Sequence, residues 1–187
     1  MKAQRIGLFG GTFDPPHFGH VAALEAAVAT NLFDYIEVTV AGDPYQKSSS
    51  VQLHSASVRL EMAHAAFDGI AGVRVSDREI KRDGPSYTVE TVRELLNDAE
   101  QVDLLIGADL SSQLDSWHES QIPRTLVKVG VVPRPGGESE LPTGWDAYLV
   151  PMQPVDLSST FIREASIHKE NLQELVPDPV IPIFEGR

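Results

Sequence analysis

The chain has 187 residues, of which 42% are hydrophobic and 22% are charged, so it is long enough to bury a core and too apolar for a disordered chain. Its 15 Lys and Arg residues against 27 Asp and Glu residues give a formal net charge of −12, which argues against sequence-independent binding to nucleic acid. The absence of cysteine excludes disulfides, thiolate metal sites and a cysteine nucleophile. No apolar run approaches the roughly 20 residues that span a membrane, and the N-terminus lacks a signal-peptide pattern. We therefore expect a cytoplasmic protein.

Short apolar runs alternate with segments of helical periodicity along the chain. Strands are predicted at residues 6–9, 35–40, 73–75, 102–106, 127–132 and 148–150. Helices are predicted at residues 21–32, 58–66, 89–96 and from Ser158 or Ser159 to Ala165, with Thr88 as an N-cap. Residues 133–145, rich in Pro, Gly and acidic residues, predict a surface loop. The alternation predicts one α/β domain with a mostly parallel sheet and right-handed crossovers.

The loop after the first strand is the first place to look for chemistry, because ligands of such sheets bind beyond the carboxyl ends of the strands. Residues 10–20 (GGTFDPPHFGH) contain neither GxGxxG nor GxxxxGK[ST]. They do contain His17 and His20, which fall on one face of the first turn of the following helix. Gly19 between them lets an anion approach the backbone closely. Two imidazoles and the N–H groups of a helix start form a donor set for phosphate oxygens.

A pair of surface histidines, or a metal site, is the alternative interpretation of His17 and His20. Zinc requires three or four ligands, and the other histidines have no comparable pattern around them: His54, His64, His118 and His168. The glycine-rich turn directly before the pair favours phosphate.

The first loop resembles the HxGH motif of the nucleotidyltransferase superfamily, and residues 158–163 (SSTFIR) are similar to the sequence that opens a late helix there. In that superfamily the late helix start and its arginine hold the phosphates of ATP. An ordinary capped helix would explain the second motif alone, but both motifs in this order favour the resemblance. It implies a single Rossmann-like nucleotidyltransferase domain, residues 1–187, with these ATP-binding residues: Gly10, Gly11, Thr12, Phe13, Gly19, Gly107, Asp109, Ser158, Ser159 and Thr160.

Three internal segments resemble the bacterial nicotinate-nucleotide adenylyltransferases within that superfamily. Residues 43–47 (DPYQK) are similar to the segment that supplies a phosphate-binding lysine. Lys47 is kept, whereas Tyr45 and Gln46 depart from the usual Pro-His and leave open how this loop closes over ATP. Residues 83–91 resemble the (S/T)YT…T signature, and residues 106–118 resemble the G(A/S)D…W segment.

The internal segments imply contacts with the pyridine nucleotide. By resemblance, Tyr87, Thr88, Trp117 and Arg134 bind nicotinate mononucleotide, with the indole stacked on the nicotinate ring and the arginine in an RPG loop. Taken singly, each residue also has a structural explanation. Trp117 fits a core position, Tyr87 and Thr88 fit a helix cap, and Asp109 fits the cap of the next helix.

The reaction that the resemblance implies is adenylyl transfer from ATP to nicotinate mononucleotide, giving deamido-NAD and pyrophosphate. The attacking phosphate oxygen is already ionised, so alignment and charge stabilisation suffice. The catalytic residues that the resemblance implies are His17, His20, Lys47 and Arg163, with His20 nearest the reacting centre. Mg²⁺ is expected as the counterion of ATP, held mainly by phosphates and water, and we assign it no protein ligand.

Several other functions stay open at this point. The acceptor of the adenylyl group could be nicotinamide mononucleotide or phosphopantetheine, or the chain could bind nucleotides without catalysis. The missing GxGxxG counts against a nicotinamide-cofactor dehydrogenase. ATP and nicotinate mononucleotide are the expected partners, with no nucleic acid and no membrane, and the sequence leaves open whether the chain forms a homo-oligomer.

Overall fold

The structure is a computed structural model that describes residues 2–43, 53–135 and 140–186. Within these ranges six strands form one sheet: β1 (Ala3–Gly11), β2 (Tyr35–Val40), β3 (Val73–Ser76), β4 (Ala99–Gly107), β5 (Val127–Val132) and β6 (Ala147–Leu149). The α-helices there are α1 (Phe18–Ala29), α2 (Ala56–Phe67), α3 (Arg78–Lys81), α4 (Thr88–Asp98), α5 (Pro123–Leu126), α6 (Ser159–Ile167) and α7 (Ile181–Glu185). Two 3-10 segments, Ala108–Ser116 and Asp178–Val180, follow β4 and precede α7. None of these described helices has the length and apolar character needed to cross a membrane.

The sheet is parallel throughout, with the strand order β3-β2-β1-β4-β5-β6. Buried apolar side chains cover both of its faces. Leu8 and Leu104 pack with Leu95 of α4 on one face, while Ile36 packs with Leu24 of α1 on the other. The α/β class predicted from the alternation is therefore confirmed. The strand order reverses between β1 and β4, so a ligand site is expected beyond the carboxyl ends of these central strands.

The first helix ends earlier than its apolar spacing predicts. The spacing predicts a helix to residue 32, whereas α1 ends at Ala29 and Leu32 is exposed. Thr30 Oγ1 donates to the Ala27 carbonyl at 2.6 Å. Asn31 has a φ of 55°, in the left-handed region through which a right-handed helix cannot continue. Local backbone geometry therefore overrides the apolar pattern here.

Two further residues lie elsewhere than predicted. Thr88 is the first residue of α4, and the N-cap position is occupied by Tyr87. Tyr87 has the extended backbone of a cap residue, and its side chain makes no capping bond. Trp145, placed by its Pro- and Gly-rich surroundings in a surface loop, is buried in the core. Its Nε1 donates to Asp115 Oδ1 at 3.0 Å, which satisfies the indole N–H.

The C-terminal segment, residues 168–186, contains elements that the sequence pattern did not predict. Its buried apolar side chains pack against α2 and α6: Leu172, Val176, Val180 and Phe184. Val58 and Met62 supply the α2 side of this cluster, and Ile162 supplies the α6 side. The segment therefore holds α6 against α2 and helps to fix the position of the late helix start.

Candidate functional site

A cleft of about 480 Å³ lies at the carboxyl ends of β1, β2, β4 and β5. This is where ligands of doubly wound sheets bind. Most of the sequence-predicted site residues line it: Gly10, Gly11, Thr12, Phe13, Gly19, His20, Thr88, Gly107, Asp109, Trp117, Arg134, Ser159 and Arg163. The cleft therefore brings together residues from both ends of the chain.

Five predicted site residues are not among the described residues that line the cleft. His17 lies beneath His20, and Tyr87 lies against His118. Ser158 caps α6 by accepting the Phe161 backbone N–H at 3.2 Å, and Thr160 Oγ1 accepts from Arg163. Lys47 falls outside the described residues.

The two histidines of the first motif form a stacked pair with unequal environments. Their ring centroids lie 3.7 Å apart, and the His17 backbone N–H donates to His20 Nδ1 at 3.2 Å. His17 is only 1% exposed, whereas His20 lines the cleft. Burial lowers the pKa of His17 to about 3, and the positive charge of Arg134 adds to this shift. His17 is therefore a neutral ring that supports His20 at neutral pH.

Gly19 leaves room for the His17 ring. A Cβ on this residue would lie 3.0 Å from both Cε1 and Nδ1 of His17, which is closer than ordinary packing allows. We expected the missing side chain to let an anion approach, and Gly19 does line the cleft. In the folded chain its small size also serves the stacked pair of imidazoles.

The start of α6 is bonded directly to the β1–α1 loop (residues 12–17). Ser159 Oγ donates to the Pro15 carbonyl at 2.9 Å, and Arg163 Nη1 donates to the Asp14 carbonyl at 2.7 Å. Arg163 Nη2 also donates to Thr160 Oγ1 at 3.1 Å. These bonds join the two motifs that the sequence placed at opposite ends of the chain. They set Arg163 at the cleft with its guanidinium held on a neutral acceptor.

Arg134 links the loops on the other side of the cleft. Its Nε donates to Asp109 Oδ1 at 3.3 Å, and its Nη1 donates to the Leu157 carbonyl at 3.0 Å. A side chain on Gly107 would collide with the Asp109 carboxylate, so a larger residue there would disturb this ion pair. The loops after β4 and β5 and the segment before α6 thus form one wall.

Arg59 on α2 is a central residue of the site that the sequence analysis missed. It is only 2% exposed and donates to four backbone carbonyls. These belong to Thr12 (3.0 Å), Ala41 (2.7 Å), Gly42 (3.2 Å) and His54 (3.0 Å). Burial lowers its pKa, and the nearby Asp14 carboxylate opposes that shift. Arg59 therefore holds the ends of β1 and β2 together beneath the cleft.

A sequence signal for Arg59 did exist. It lies three and four residues before Met62 and Ala63, which places it on the buried face of α2. A charged residue on an apolar helix face is rarely buried without partners. That spacing alone indicates a buried guanidinium, although it does not say which carbonyls receive it.

Asp14 contributes to the framework of the site. Its Oδ2 accepts the His54 backbone N–H at 3.0 Å, and its Oδ1 accepts from His54 Nδ1 at 2.6 Å. Both carboxylate oxygens are thus engaged by one residue. The described part of the chain contains no group of three or more His, Cys, Asp or Glu side chains placed to hold a metal ion.

The segments predicted to contact a pyridine nucleotide meet at the β2 and β4 side of the cleft. Ser86 Oγ accepts the Gly42 backbone N–H at 2.9 Å, which fixes the entry to α4 beside the loop after β2. The rings of Tyr87 and His118 stack 3.9 Å apart, so this pair connects the entry of α4 to the residue after Trp117. Trp117 packs partly against the core and also lines the cleft. The core and cleft interpretations of this tryptophan are therefore compatible.

Comparison with known proteins gives consistent results along most of the chain. The model of the cytidylyltransferase-like family matches residues 8–165. A protein of Methylibium petroleiphilum named "Probable nicotinate-nucleotide adenylyltransferase" is 40% identical over 184 residues, which cover 95% of this chain and 86% of that protein. A protein of the same name from Exiguobacterium sibiricum is 37% identical over 184 residues and covers 97% of this chain and 96% of its own length.

Solved structures show the same fold. Nicotinic acid mononucleotide adenylyltransferase of Plasmodium falciparum complexed with NaAD superposes with a TM-score of 0.78 at 18% identity. The match covers 96% of this chain and 94% of that chain. The same Plasmodium enzyme complexed with APC gives a TM-score of 0.75 at 17% identity. At such low identity the likeness establishes the fold alone.

Substitution of Gly19 by Ala should destabilise the chain because the new Cβ would push against the buried His17 ring. We expect a loss of about 1–3 kcal/mol in urea unfolding, as for other overpacked sites. Gly69→Ala is the matched control, since a Cβ there would have nothing within 4 Å. Equal stability of the two variants would show that Gly19 has no packing role.

The pH dependence of stability should report the burial of His17. Its folded pKa of about 3 lies below the ordinary 6.5, so the unfolded chain binds one more proton between these values. Stability from this residue is therefore lost as the pH falls from about 6.5 towards 3, by about 1.4 kcal/mol per pH unit. Urea unfolding of the wild type and of His17→Asn at several pH values measures the difference. Parallel curves for the two proteins would contradict the assignment.

Proposed function

Since the chain belongs to the cytidylyltransferase-like family and, within it, to the nicotinate-nucleotide adenylyltransferases, we propose that it transfers the adenylyl group of ATP to nicotinate mononucleotide. The products are deamido-NAD and pyrophosphate, a step of NAD biosynthesis. The observation that carries this proposal is the cleft where the first loop and the start of α6 meet. We take residues 1–187 as one nucleotidyltransferase domain.

The chemistry requires positioning rather than a general base. A phosphate oxygen of nicotinate mononucleotide, ionised at neutral pH, attacks the α-phosphorus of ATP and forms the new P–O bond. The bond between the α-phosphorus and the oxygen bridging to the β-phosphate breaks, and pyrophosphate leaves with that electron pair. Holding the two phosphates in line and stabilising the developing charge account for such catalysis.

His20 is our candidate for the donor closest to the reacting phosphate. Its Nδ1 accepts the His17 backbone N–H, so in the neutral ring the hydrogen is on Nε2, which can donate to a phosphate oxygen. His17 would act through His20, because it is buried under that ring and uncharged at neutral pH. The stack fixes the plane of the His20 ring before substrate arrives.

Arg163 is our candidate for the cation that faces the triphosphate. It lines the cleft in the first turns of α6, where helix N–H groups and the helix dipole also favour an anion. Lys47 would add a second cation, as its resemblance to the phosphate-binding lysine implies, and it lies outside the described residues. Gly10, Gly11, Thr12 and Ser159 complete the lining on this side.

The acceptor would lie between Thr88 and Trp117, both of which line the cleft. The indole offers a flat apolar face to a nicotinate ring. Tyr87 would contribute by stacking on His118 and thereby holding the two lining segments together. Arg134 would serve as a wall residue near the nucleotides rather than as a mobile cation, because two bonds fix its guanidinium.

Mg²⁺ would accompany ATP as part of the substrate. The described residues provide no cluster of three or more metal-binding side chains, and both oxygens of Asp14 are bonded to His54. Mg²⁺ prefers substrate phosphates and water as ligands. The protein's own contribution is to hold the phosphate oxygens with hydrogen-bond donors.

Release of pyrophosphate with MgATP tests the proposed function directly. We expect the highest rate with nicotinate mononucleotide, and lower rates with nicotinamide mononucleotide and phosphopantetheine as parallel acceptors. A highest rate with phosphopantetheine would overturn the acceptor and keep the ATP site. Absence of release with all three acceptors would overturn the enzymatic assignment.

Removal of the indole of Trp117 should weaken binding of only one substrate. We expect Trp117→Ala to raise the KM for nicotinate mononucleotide by about tenfold more than the KM for ATP, because stacking is lost on the pyridine ring alone. Trp117→Phe should restore much of this difference. Trp145→Phe is the control, since the Trp145 indole is buried in the core and donates a hydrogen bond to Asp115. If both KM values rose together for Trp117→Ala, its role would be confined to the core.

A further inference from the structure

Thr39 on β2 carries a buried hydroxyl that lacks a hydrogen-bond partner among the described residues. The residue is 0% exposed and its backbone pairs with Gly10 in the adjacent β1. An unpaired buried donor is costly to a folded chain, and native structures contain few of them. The contacts of the described residues therefore leave this hydroxyl unexplained.

Packing does not explain the hydroxyl. The other face of β2 consists of Ile36, Val38 and Val40, all of them buried in the core. Valine has nearly the same shape as threonine and would fill the position of Thr39 without burying an unpaired polar atom. Since the strand already uses valine at two positions, the contacts among the described residues give no reason for a threonine.

The hydroxyl, although buried, belongs to a residue that lines the cleft. Thr39 and Gly10 both line the cleft, and Gly10 is exposed. A Cβ placed on Gly10 would find Thr39 Oγ1 at 3.4 Å, and among the described residues outside its chain neighbours nothing else lies within 4 Å. A ligand atom resting on the bare backbone of Gly10 would therefore have this hydroxyl as its nearest side-chain partner.

The groups around Gly10 indicate which kind of ligand atom would bind there. Gly10 lies at the carboxyl end of β1, where ligands of parallel sheets bind, and both proposed substrates carry phosphate. A hydroxyl with an unused donor complements an anionic oxygen. We propose that Thr39 is a further substrate-binding residue, whose hydroxyl donates a hydrogen bond to a phosphate oxygen of the substrate lying over Gly10. This inference rests on the proposed function and leaves open which of the two substrates supplies the phosphate.

The pair Thr39→Val and Thr39→Ser separates the hydroxyl from the shape of the side chain. Thr39→Val removes the unpaired donor, so the ligand-free variant should unfold at the same temperature as the wild type or at a higher one. In steady-state assays it should raise one KM or lower kcat by tenfold or more, because a bond to a charged group is lost. Thr39→Ser should stay near the wild type in the same assays.

Titration calorimetry with ATP and with nicotinate mononucleotide separately shows which phosphate is bound. Weaker binding of nicotinate mononucleotide by Thr39→Val assigns the contact to the acceptor, and weaker binding of ATP assigns it to the triphosphate. Unchanged kinetics and unchanged affinities for both substrates would overturn the inference. So would a Thr39→Ser variant as impaired as Thr39→Val, or a Thr39→Val chain that is merely less stable.

Measurements on the wild type distinguish a failure of the Thr39 inference from a failure of the proposed function. A wild type that releases pyrophosphate beside an equally active Thr39→Val refutes only the role of Thr39. A wild type without turnover refutes the proposed function, and the two calorimetric affinities then still decide whether the Thr39 hydroxyl binds a phosphate.

Discussion

The buried guanidinium of Arg59 is the constraint on which the cleft depends. At the carboxyl ends of parallel strands, backbone carbonyls have no partner in a neighbouring strand. Where these carbonyls are buried, they need hydrogen-bond donors from elsewhere in the chain. Arg59 supplies them to Thr12 after β1 and to Ala41 and Gly42 after β2, as well as to His54 before α2. One planar group with five donors can do this, whereas a lysine offers three donors from a single point. The carboxyl ends of two strands are thereby fixed to one helix.

A series of hydrogen bonds connects Arg59 to the rest of the site. His54, whose carbonyl Arg59 holds, donates twice to the Asp14 carboxylate, and the Asp14 carbonyl accepts from Arg163. The late helix is thus positioned by the loop that ends at His17, directly before the turn of α1 that carries His20. Its other side is fixed by the C-terminal segment, which packs Val176 and Phe184 against α2 and α6. A change in that distant cluster would therefore reach the side of the cleft that Arg163 lines.

The sequence predicted well what local patterns determine. Apolar β-branched runs placed the strands, the rule that ligands bind at the carboxyl ends singled out the loop before His20, and the family resemblance singled out the helix of Arg163. The sequence did not predict the carbonyl partners of Arg59. Every residue has a backbone carbonyl, so residue identity does not show which carbonyls accept a hydrogen bond. It also misjudged Trp145, whose flanking Pro and Gly residues indicate a loop although its indole finds a partner 30 residues away in Asp115. The depth of His17 was equally invisible, since spacing gives the face of a helix and not its burial.

The distribution of charge explains how an acidic chain can attract polyanions to one place. Several arginines pair with carboxylates away from the cleft floor, as Arg5 does with Asp103 and Arg78 does with Glu37. Within the described ranges no ion pair joins Arg59 or Arg163 to a carboxylate, and both donate to backbone carbonyls instead. A carbonyl orients a guanidinium without cancelling its charge. Both arginines therefore keep positive charge near the cleft, with Asp14 offsetting part of that of Arg59, in a chain whose net charge of −12 otherwise repels polyanions.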